Sequence, residues 1–458
     1  MLERVRITFI SHASVIVETS DRVIWTDPWV FGKAFNDSWA LMPEPPGALI
    51  DEWLPRITDV WVSHEHPDHF HIPTLKSLPA DFKRRVVLLF QELHTDRMPD
   101  AFRALGFLNV VTIKHRAWKA ISAHTSVYMY QEAPLDAGIA IKDGQTGELI
   151  LNVNDVELSD YDIDILKNDL GTIDVVLNQF SFATYDGRED YATVTREQAE
   201  RILTSIVDDH RGLDARVTIP FASFMYFCAP DNFHLNAFRN SPRAVAERFA
   251  QHGLRLAVLL PGETYEVGRE WDNRASLARY DAMQEVPRPR DQPKRVDLGD
   301  LEKDARALFA DMHRYYPTTL LRLTGHYRIF IEDLGETVLF GLGSGTWRPL
   351  GSGHADWDIK VLSQPLQFAL KNSFGLQTLS ISGRFLIRRH LRRFMLLRIL
   401  MGLRNAELFL RPRFILRAPL RSFIAVNASR LVHQFFGVVG VLKTFIGRKP
   451  AMPAATNR

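Results

Sequence analysis

The segment Ser63-His64-Glu65-His66-Pro67-Asp68-His69 constrains this chain more than any other stretch. Three histidines and two carboxylates fall within six residues, directly behind the largely apolar, strand-like run 57–62. Imidazole and carboxylate are the usual ligands of zinc, iron and manganese. Placing them at the exit of a buried strand gives a rigid base with an open coordination side. The spacing also divides the ligands. If the backbone coils just after the strand, His64 and His66 serve one ion, and Asp68 and His69 serve a neighbour. Two ions about 3.5–4 Å apart share a water, lower its pKa and clamp developing negative charge. A surface loop that is merely rich in histidine leaves the candidate ligands further along the chain unexplained.

The rest of the composition is that of an ordinary globular protein, 46% hydrophobic and 24% charged over 458 residues. That length holds two or three domains. A single cysteine, Cys228, excludes an intramolecular disulfide and any cysteine-ligated cluster built by this chain alone, and it reads as a buried packing residue. The first residues show no signal peptide, and no run approaches the ~18–20 apolar residues of a membrane-spanning helix. A cytoplasmic location is the expectation. Net charge is +2 but uneven: 380–449 holds 13 Arg and 2 Lys against one acid, a net +14, leaving −12 on the remainder. Such a tail speaks to partners rather than to fold.

Period-two and short apolar runs predict opening strands over 4–9, 14–19 and 23–26, then the strand that delivers the histidines. A short helix follows over 73–78, a strand over 86–90 and a helix over 95–105. Further strands are expected over 121–130, 138–141, 148–152, 174–177, 217–220 and 256–260, with a helix over 197–208. Strands that first meander and then alternate with helices predict a layered α/β arrangement around two sheets. The expected organisation is a metal domain over 1–268 and a linker or covering segment over 269–300, which contains Pro287, Pro289 and Pro293. A small α+β unit over 301–382, a basic amphipathic helical tail over 383–449 and a disordered end over 450–458 complete it.

His-x-His-x-Asp-His after a strand resembles the signature of the metallo-β-lactamase fold superfamily. Ser11-His12-Ala13-Ser14 and Trp25-Thr26-Asp27-Pro28-Trp29 resemble the branch that holds ascorbate-phosphate lactonase, N-acyl-phosphatidylethanolamine phospholipase D and the C-terminal portion of CMP-N-acetylneuraminate hydroxylase. The segments Ser63-His-Glu-His-Pro-Asp-His-Phe, Pro73-Thr-Leu and Ile150-Leu-Asn-Val-Asn-Asp155 look most like the hydroxylase group. The resemblance covers about residues 1–265 and implies a four-layer αββα fold with one or two divalent ions: zinc, iron or manganese. It implies that Asp155 bridges the ions. It also implies a third ligand for the first ion, for which Asp136 and His124 are the candidates. A last ligand on a late loop is implied for the second ion, for which His234 is the candidate. Asp136 makes the site richer in oxygen and shifts preference from zinc toward iron or manganese. Asp27 and His71 are expected to support the ligands from behind. His12 is expected to orient a ligand or touch substrate.

The simplest reaction is hydrolysis of an ester, lactone or phosphoester by a metal-bound hydroxide, with Asp68 orienting the nucleophile. The alternative is an iron-dependent hydroxylase. A Rieske cluster needs two Cys and two His, so that reading needs a separate electron donor protein. A non-catalytic binding protein with a relic metal site is a third reading. In the tail, Arg384, Arg388, Arg389, Arg392, Arg393 and Arg398 alternate with Phe385, Leu386, Leu391, Phe394, Leu397 and Leu400 at helical spacing. That pattern suits packing on the acidic body, contact with an anionic membrane at the inner face, or an anionic, phosphorylated substrate. Nucleic acid is not expected, because no aromatic stacking platform is evident.

Overall fold

The computed structural model describes residues 3–411 apart from 133–135, 184, 287, 291, 293 and 353–355. The tail beyond 411, with its apolar run 432–446 and the end expected to be disordered over 450–458, lies outside the described residues. Among the described residues no helix is long and apolar enough to cross a membrane.

Two sheets face one another. The first has seven strands in the order Thr264–Glu266, Arg6–Ser11, Ser14–Glu18, Val23–Thr26, Asp59–Trp61, Val87–Gln91, Asn109–Ile113. Its opening strands form an antiparallel meander, and pairing turns parallel from Val23–Thr26 onward. The second has five strands in the order Thr125–Glu132, Asp136–Asp143, Leu149–Asn154, Val175–Gln179, Val217–Phe221, also changing from antiparallel to parallel.

Successive side chains of a strand point to opposite faces, and here both faces are covered. Ile7, Phe9, Val15, Val17, Trp61 and Leu89 of the first sheet pack against Val127, Met129, Ile139, Ile150, Val175 and Leu177 of the second. The alternate residues Ile10, Ile16, Val60, Val62, Leu88 and Phe90 turn outward onto helical residues such as Leu75, Phe82 and Phe102. Behind the second sheet, Tyr128, Tyr130, Leu151 and Val176 meet Ile163, Leu166 and Leu170 of the helix Asp160–Leu170. The strands therefore read as near-continuous apolar runs rather than polar–apolar alternations. Each fully buried aliphatic or Phe side chain contributes about 1.5–3 kcal/mol, so this double core fixes the strand ends that carry the histidines.

Three details differ from the sequence expectation. The run 256–260 is not a strand. Its leucines and valine are buried in the core, but only Leu256 bridges, to Thr218, with hydrogen bonds from Thr218 N to Arg255 O and from Ala257 N to Thr218 O. Apolar composition reported burial there, not ladder pairing. The strand expected over 121–130 begins at Thr125, and the one expected over 138–141 begins at Asp136. A small sheet of Lys33–Ala34, Trp39–Leu41 and Met225–Phe227 has strands too short to leave a periodic signal.

Within 269–300, the helix Asn273–Gln284 joins the main core through Leu277 and Tyr280. A second core surrounds the sheet Thr346–Ser352, Glu336–Gly341, Tyr327–Ile331, Ile359–Val361, Phe385–Ile387, packed by the helices Leu298–Tyr315, Ser363–Lys371, Gly375–Ser382 and Leu391–Asn405. This unit docks on the first. Arg384, fully buried, pairs with Asp231 at 2.8 Å, and Asn232 Nδ2 donates to Ser382 O at 2.7 Å. Several tail arginines are engaged with acids: Arg388 with Glu189 at 2.9 Å, Arg389 with Asp356 and Arg404 with Asp311.

Candidate metal centre

The histidine run leaves the carboxyl end of the parallel strand Asp59–Trp61. Asp27 follows the neighbouring strand Val23–Thr26, and Asp155 follows Leu149–Asn154 of the facing sheet. Strand ends of a parallel sheet converge on one edge, where ligands bind in such folds.

Asp27 ties these ends together. It is fully buried, with a left-handed backbone (φ 37°). Its carboxylate accepts from Ser63 N at 2.7 Å, from Ser63 Oγ at 3.0 and 3.1 Å, from His69 Nδ1 at 3.0 Å and from Asn154 Nδ2 at 2.7 Å. With its hydroxyl proton given to Asp27, Ser63 Oγ accepts from His64 Nδ1 at 2.9 Å. Both histidines thus spend Nδ1–H on the scaffold and turn Nε2 toward the facing sheet, as ligand histidines do.

The structure brings three overlapping groups of ligand atoms together: His64, His66 and Asp136; His64, His69 and Asp155; His12, Asp68 and His69. His64 Nε2 lies 2.7 Å from His66 Nδ1, 3.6 Å from Asp136 Oδ1 and 3.7 Å from Asp155 Oδ2. His69 Nε2 lies 3.3 Å from Asp155 Oδ2 and 3.4 Å from Asp68 Oδ2. Two features fit a cation. His69 Nε2 and Asp68 Oδ1 are buried and make no hydrogen bond. Bonds of ~2.0–2.2 Å from one ion to nitrogen and oxygen, ~90–110° apart, place ligand atoms ~2.8–3.6 Å from one another, and the distances cluster around that window. The His64, His69 and Asp68 side chains are sealed from solvent, while Asp136 and Asp155 are 27% and 21% exposed, so the cluster opens on their side.

The ionisable groups of the cluster shift one another strongly. Burial, together with neighbouring His69 and His66, holds the His64 imidazole well below its ordinary pKa. Burial pulls His69 the same way, but the carboxylates of Asp68, Asp155 and Asp27 outweigh it and raise His69 well above the usual range. Burial would raise Asp68, yet His69 and His12 bring it well below the carboxylate range. Asp136 is pushed up to about 6, chiefly by burial. The extra proton that the carboxylates hold on His69 thus stands where a divalent ion would replace it.

The other sequence candidates lie elsewhere. His124 sits before the strand rather than inside it, is exposed, and gives its backbone N–H to Asp21 at 3.0 Å. Of the two candidates for the third ligand of the first ion, only Asp136 reaches the cluster. His234, in the short helix Phe233–Phe238, packs its ring on Tyr191 at 4.5 Å and joins none of the three groups. His71 caps the helix Ile72–Ser77: its Nδ1 accepts from Thr74 N at 3.2 Å, and its Nε2 donates to Lys33 O at 3.2 Å. Burial lowers His71 to about 4, so it is a neutral structural cap. Cys228 is buried, with Sγ donating to Asp37 O at 3.3 Å.

A cavity of about 400 Å³ adjoins His66. Phe35, Phe70 and Met98 line it from the first unit, and Phe368, Phe374 and Gln377 from the second. Glu65, between the two ligand histidines, accepts from Arg97 of the first unit and from Asn405 of the second. Sequence reasoning missed this clamp: Glu65 was visible in the motif, but nothing marks Asn405, 340 residues away.

The family described as Beta-lactamase superfamily domain matches residues 6–141. A cytidine monophosphate-N-acetylneuraminic acid hydroxylase of Asterias rubens is 40% identical over 77 residues, covering 16% of this chain and 11% of that protein. The Danio rerio protein of the same name is 22% identical over 290 residues, covering 59% and 48%. The chain thus spans about half or less of the length of these relatives. Among solved structures it aligns with CmlA, a diiron beta-hydroxylase from Streptomyces venezuelae, at 14% identity and a TM-score of 0.39, covering 58% of this chain and 55% of that one. The fold is that of the metallo-β-lactamases, with a sequence relationship to the N-acetylneuraminic acid hydroxylases.

Proposed function

We propose that this chain, a metallo-β-lactamase fold related in sequence to the cytidine monophosphate-N-acetylneuraminic acid hydroxylases, is a metal-dependent enzyme that hydroxylates a small organic substrate. The observation that carries this reading is the meeting of Asp136 with His64 and His66. Three histidines around one position suit zinc. Two histidines and a carboxylate with open positions suit iron(II), and Asp155 adds a second carboxylate nearby. The reaction class is insertion of one atom of dioxygen into a carbon–hydrogen bond. Two electrons and two protons come from an external donor, and the second oxygen atom leaves as water.

A bound divalent centre supplies Lewis acidity and redox capacity; the chain's own residues supply position. Asp27 and Ser63 hold the rings of His64 and His69. Arg97 and Asn405 hold Glu65 and thereby the backbone between His64 and His66. Phe35, Phe70, Phe368 and Phe374 give the adjoining cavity apolar walls that exclude water and orient the substrate. With one cysteine, these 458 residues hold no Rieske centre, so electrons arrive from another protein or domain.

A second reading, hydrolysis of an ester, lactone or phosphoester, is favoured by the placement of Asp155 within 3.7 Å of both His64 and His69. Divalent ions held by these residues would supply a hydroxide nucleophile and charge stabilisation, chemistry that needs no electron donor. Anaerobic purification followed by elemental analysis and Mössbauer spectroscopy separates the two. Iron that is oxidised by dioxygen and reduced again by dithionite supports hydroxylation. Two zinc ions per chain, no retention of iron and turnover of a panel of lactones and phosphodiesters would refute it.

A further inference from the structure

His234 is absent from the ligand groups, so the second position lacks the late-loop histidine expected of it. The structure offers a replacement from the opposite end of the fold. His12 occupies the tight turn between the antiparallel strands Arg6–Ser11 and Ser14–Glu18. Its side chain is buried at 1% exposure, and its ring is walled by Trp29 at 5.3 Å, Trp39 at 6.3 Å and His69 at 6.0 Å. The backbone is held left-handed (φ 28°), a conformation that strains a non-glycine residue. The His12 carbonyl is fixed by Ala222 N at 2.7 Å. A strained turn and a caged ring together aim one atom, Nε2, at Asp68 Oδ2, 3.1 Å away.

We infer that His12 is a ligand of the second metal ion, taking the place that the late-loop histidine leaves empty. The inference rests on the reading of the cluster as a two-ion centre and specifies how that centre is closed. His12 Nε2 to Asp68 Oδ2 is 3.1 Å, Asp68 Oδ2 to His69 Nε2 is 3.4 Å, and His69 Nε2 to Asp155 Oδ2 is 3.3 Å. All three are edge lengths of ligands that share one ion at ~2.1 Å bonds. Asp68 Oδ1 and His69 Nε2 are buried without hydrogen bonds and are available as ligand atoms for such an ion. The two positions then match: His64, His66 and Asp136 form one, His12, His69 and Asp68 form the other, and Asp155 lies between them. Each is a set of two histidines and one carboxylate, the donor set suited to iron(II).

The test is metal stoichiometry in the full chain, stripped with chelator and reconstituted anaerobically with Fe(II) and, separately, Zn(II). Expected results are two ions per chain in the wild type, one in His12→Ala and His12→Gln, and two in His234→Ala. Circular dichroism establishes that each variant is folded. A crystal structure of the reconstituted wild type, with anomalous scattering at the metal edge, gives an answer independent of any variant: His12 Nε2 lies about 2.1 Å from the second ion. Two retained ions in folded His12→Ala, one ion in His234→Ala, or His12 Nε2 beyond 3 Å from the second ion overturns the ligand assignment while leaving the metal centre standing. A wild type that retains no ion overturns the centre itself, and the assignment with it.

Discussion

Replacing Asp27 with alanine removes the one group on which both sheets' ligand-bearing strand ends converge. Ser63 Oγ and three further buried donors, Ser63 N, His69 Nδ1 and Asn154 Nδ2, lose their acceptor at 2.7–3.0 Å. A buried donor left unsatisfied costs about 1–3 kcal/mol, more when the lost partner is charged. These donors are close enough that relaxation offsets part of the sum, so the expected loss of stability is about 3–6 kcal/mol. Metal affinity falls as well, because His69 is no longer held with Nε2 toward the cluster; lost supporting contacts of this kind typically cost ~10–100-fold. Urea denaturation of the chelator-treated protein measures the first effect, and competition with a calibrated chelator measures the second. Asp27→Asn separates them. Its carbonyl still accepts from Ser63, but its amide offers a donor where Asn154 already donates, so its loss falls between wild type and alanine. If Asp27→Ala lies within about 1 kcal/mol of the wild type and binds metal as tightly, Asp27 is not the organiser of this site.

Other perturbations address different parts of the molecule. Asp136→Ala should reduce bound metal by one ion per chain, read by elemental analysis, because the first position keeps only its two histidines. Removing metal from the wild type with EDTA should lower the thermal midpoint, with ions present at ~100 times Kd contributing ~2.7 kcal/mol by mass action. Burial pushes Asp209 up to about 7 from 3.8, despite the hydrogen bond it accepts from Asn178 at 2.7 Å. The native state therefore binds that proton more tightly than the unfolded chain, and the contribution to stability is complete below about pH 4 and lost as pH rises through 7. Asp209→Asn should abolish that slope and gain up to roughly 4 kcal/mol at pH 8 over the wild type, measured by urea denaturation across pH. Arg384→Met should cost about 3–5 kcal/mol by leaving Asp231 buried without its partner, and adding Asp231→Asn should recover most of it.

The parts of the site that the sequence displayed are those carried by local chemistry. His64, His66, Asp68 and His69 announce themselves by density, and Asp155 by ending an apolar strand. Asp136 could be preferred to His124 because it stands at the lip of a strand, and the structure shows it opening its strand facing His64, while His124 lies just before another. His234 was misleading because its loop has the right place in the chain while its ring goes to Tyr191. Asn405 left no trace, because a clamp spanning 340 residues depends on how a second core docks rather than on any local pattern. The fold was legible for a related reason. Strands covered on both faces are apolar at most positions, and that continuity also made 256–260 look like a strand when it is buried coil.

The charge of the cluster argues for what it holds. Asp68, Asp136 and Asp155 bring three carboxyl groups to one edge, and Asp27 adds a fourth behind His69. Among the described residues no lysine or arginine forms an ion pair with these four carboxyl groups, and Arg97 is spent on Glu65. Burying such a set is costly; the carboxylates hold a proton on His69 well above its usual range, while burial and its neighbours drive His64 neutral. A divalent ion brings two positive charges to these carboxyl groups and takes the place of a proton such as the one on His69. The same residues that make the cluster costly on its own therefore suit it to divalent cations.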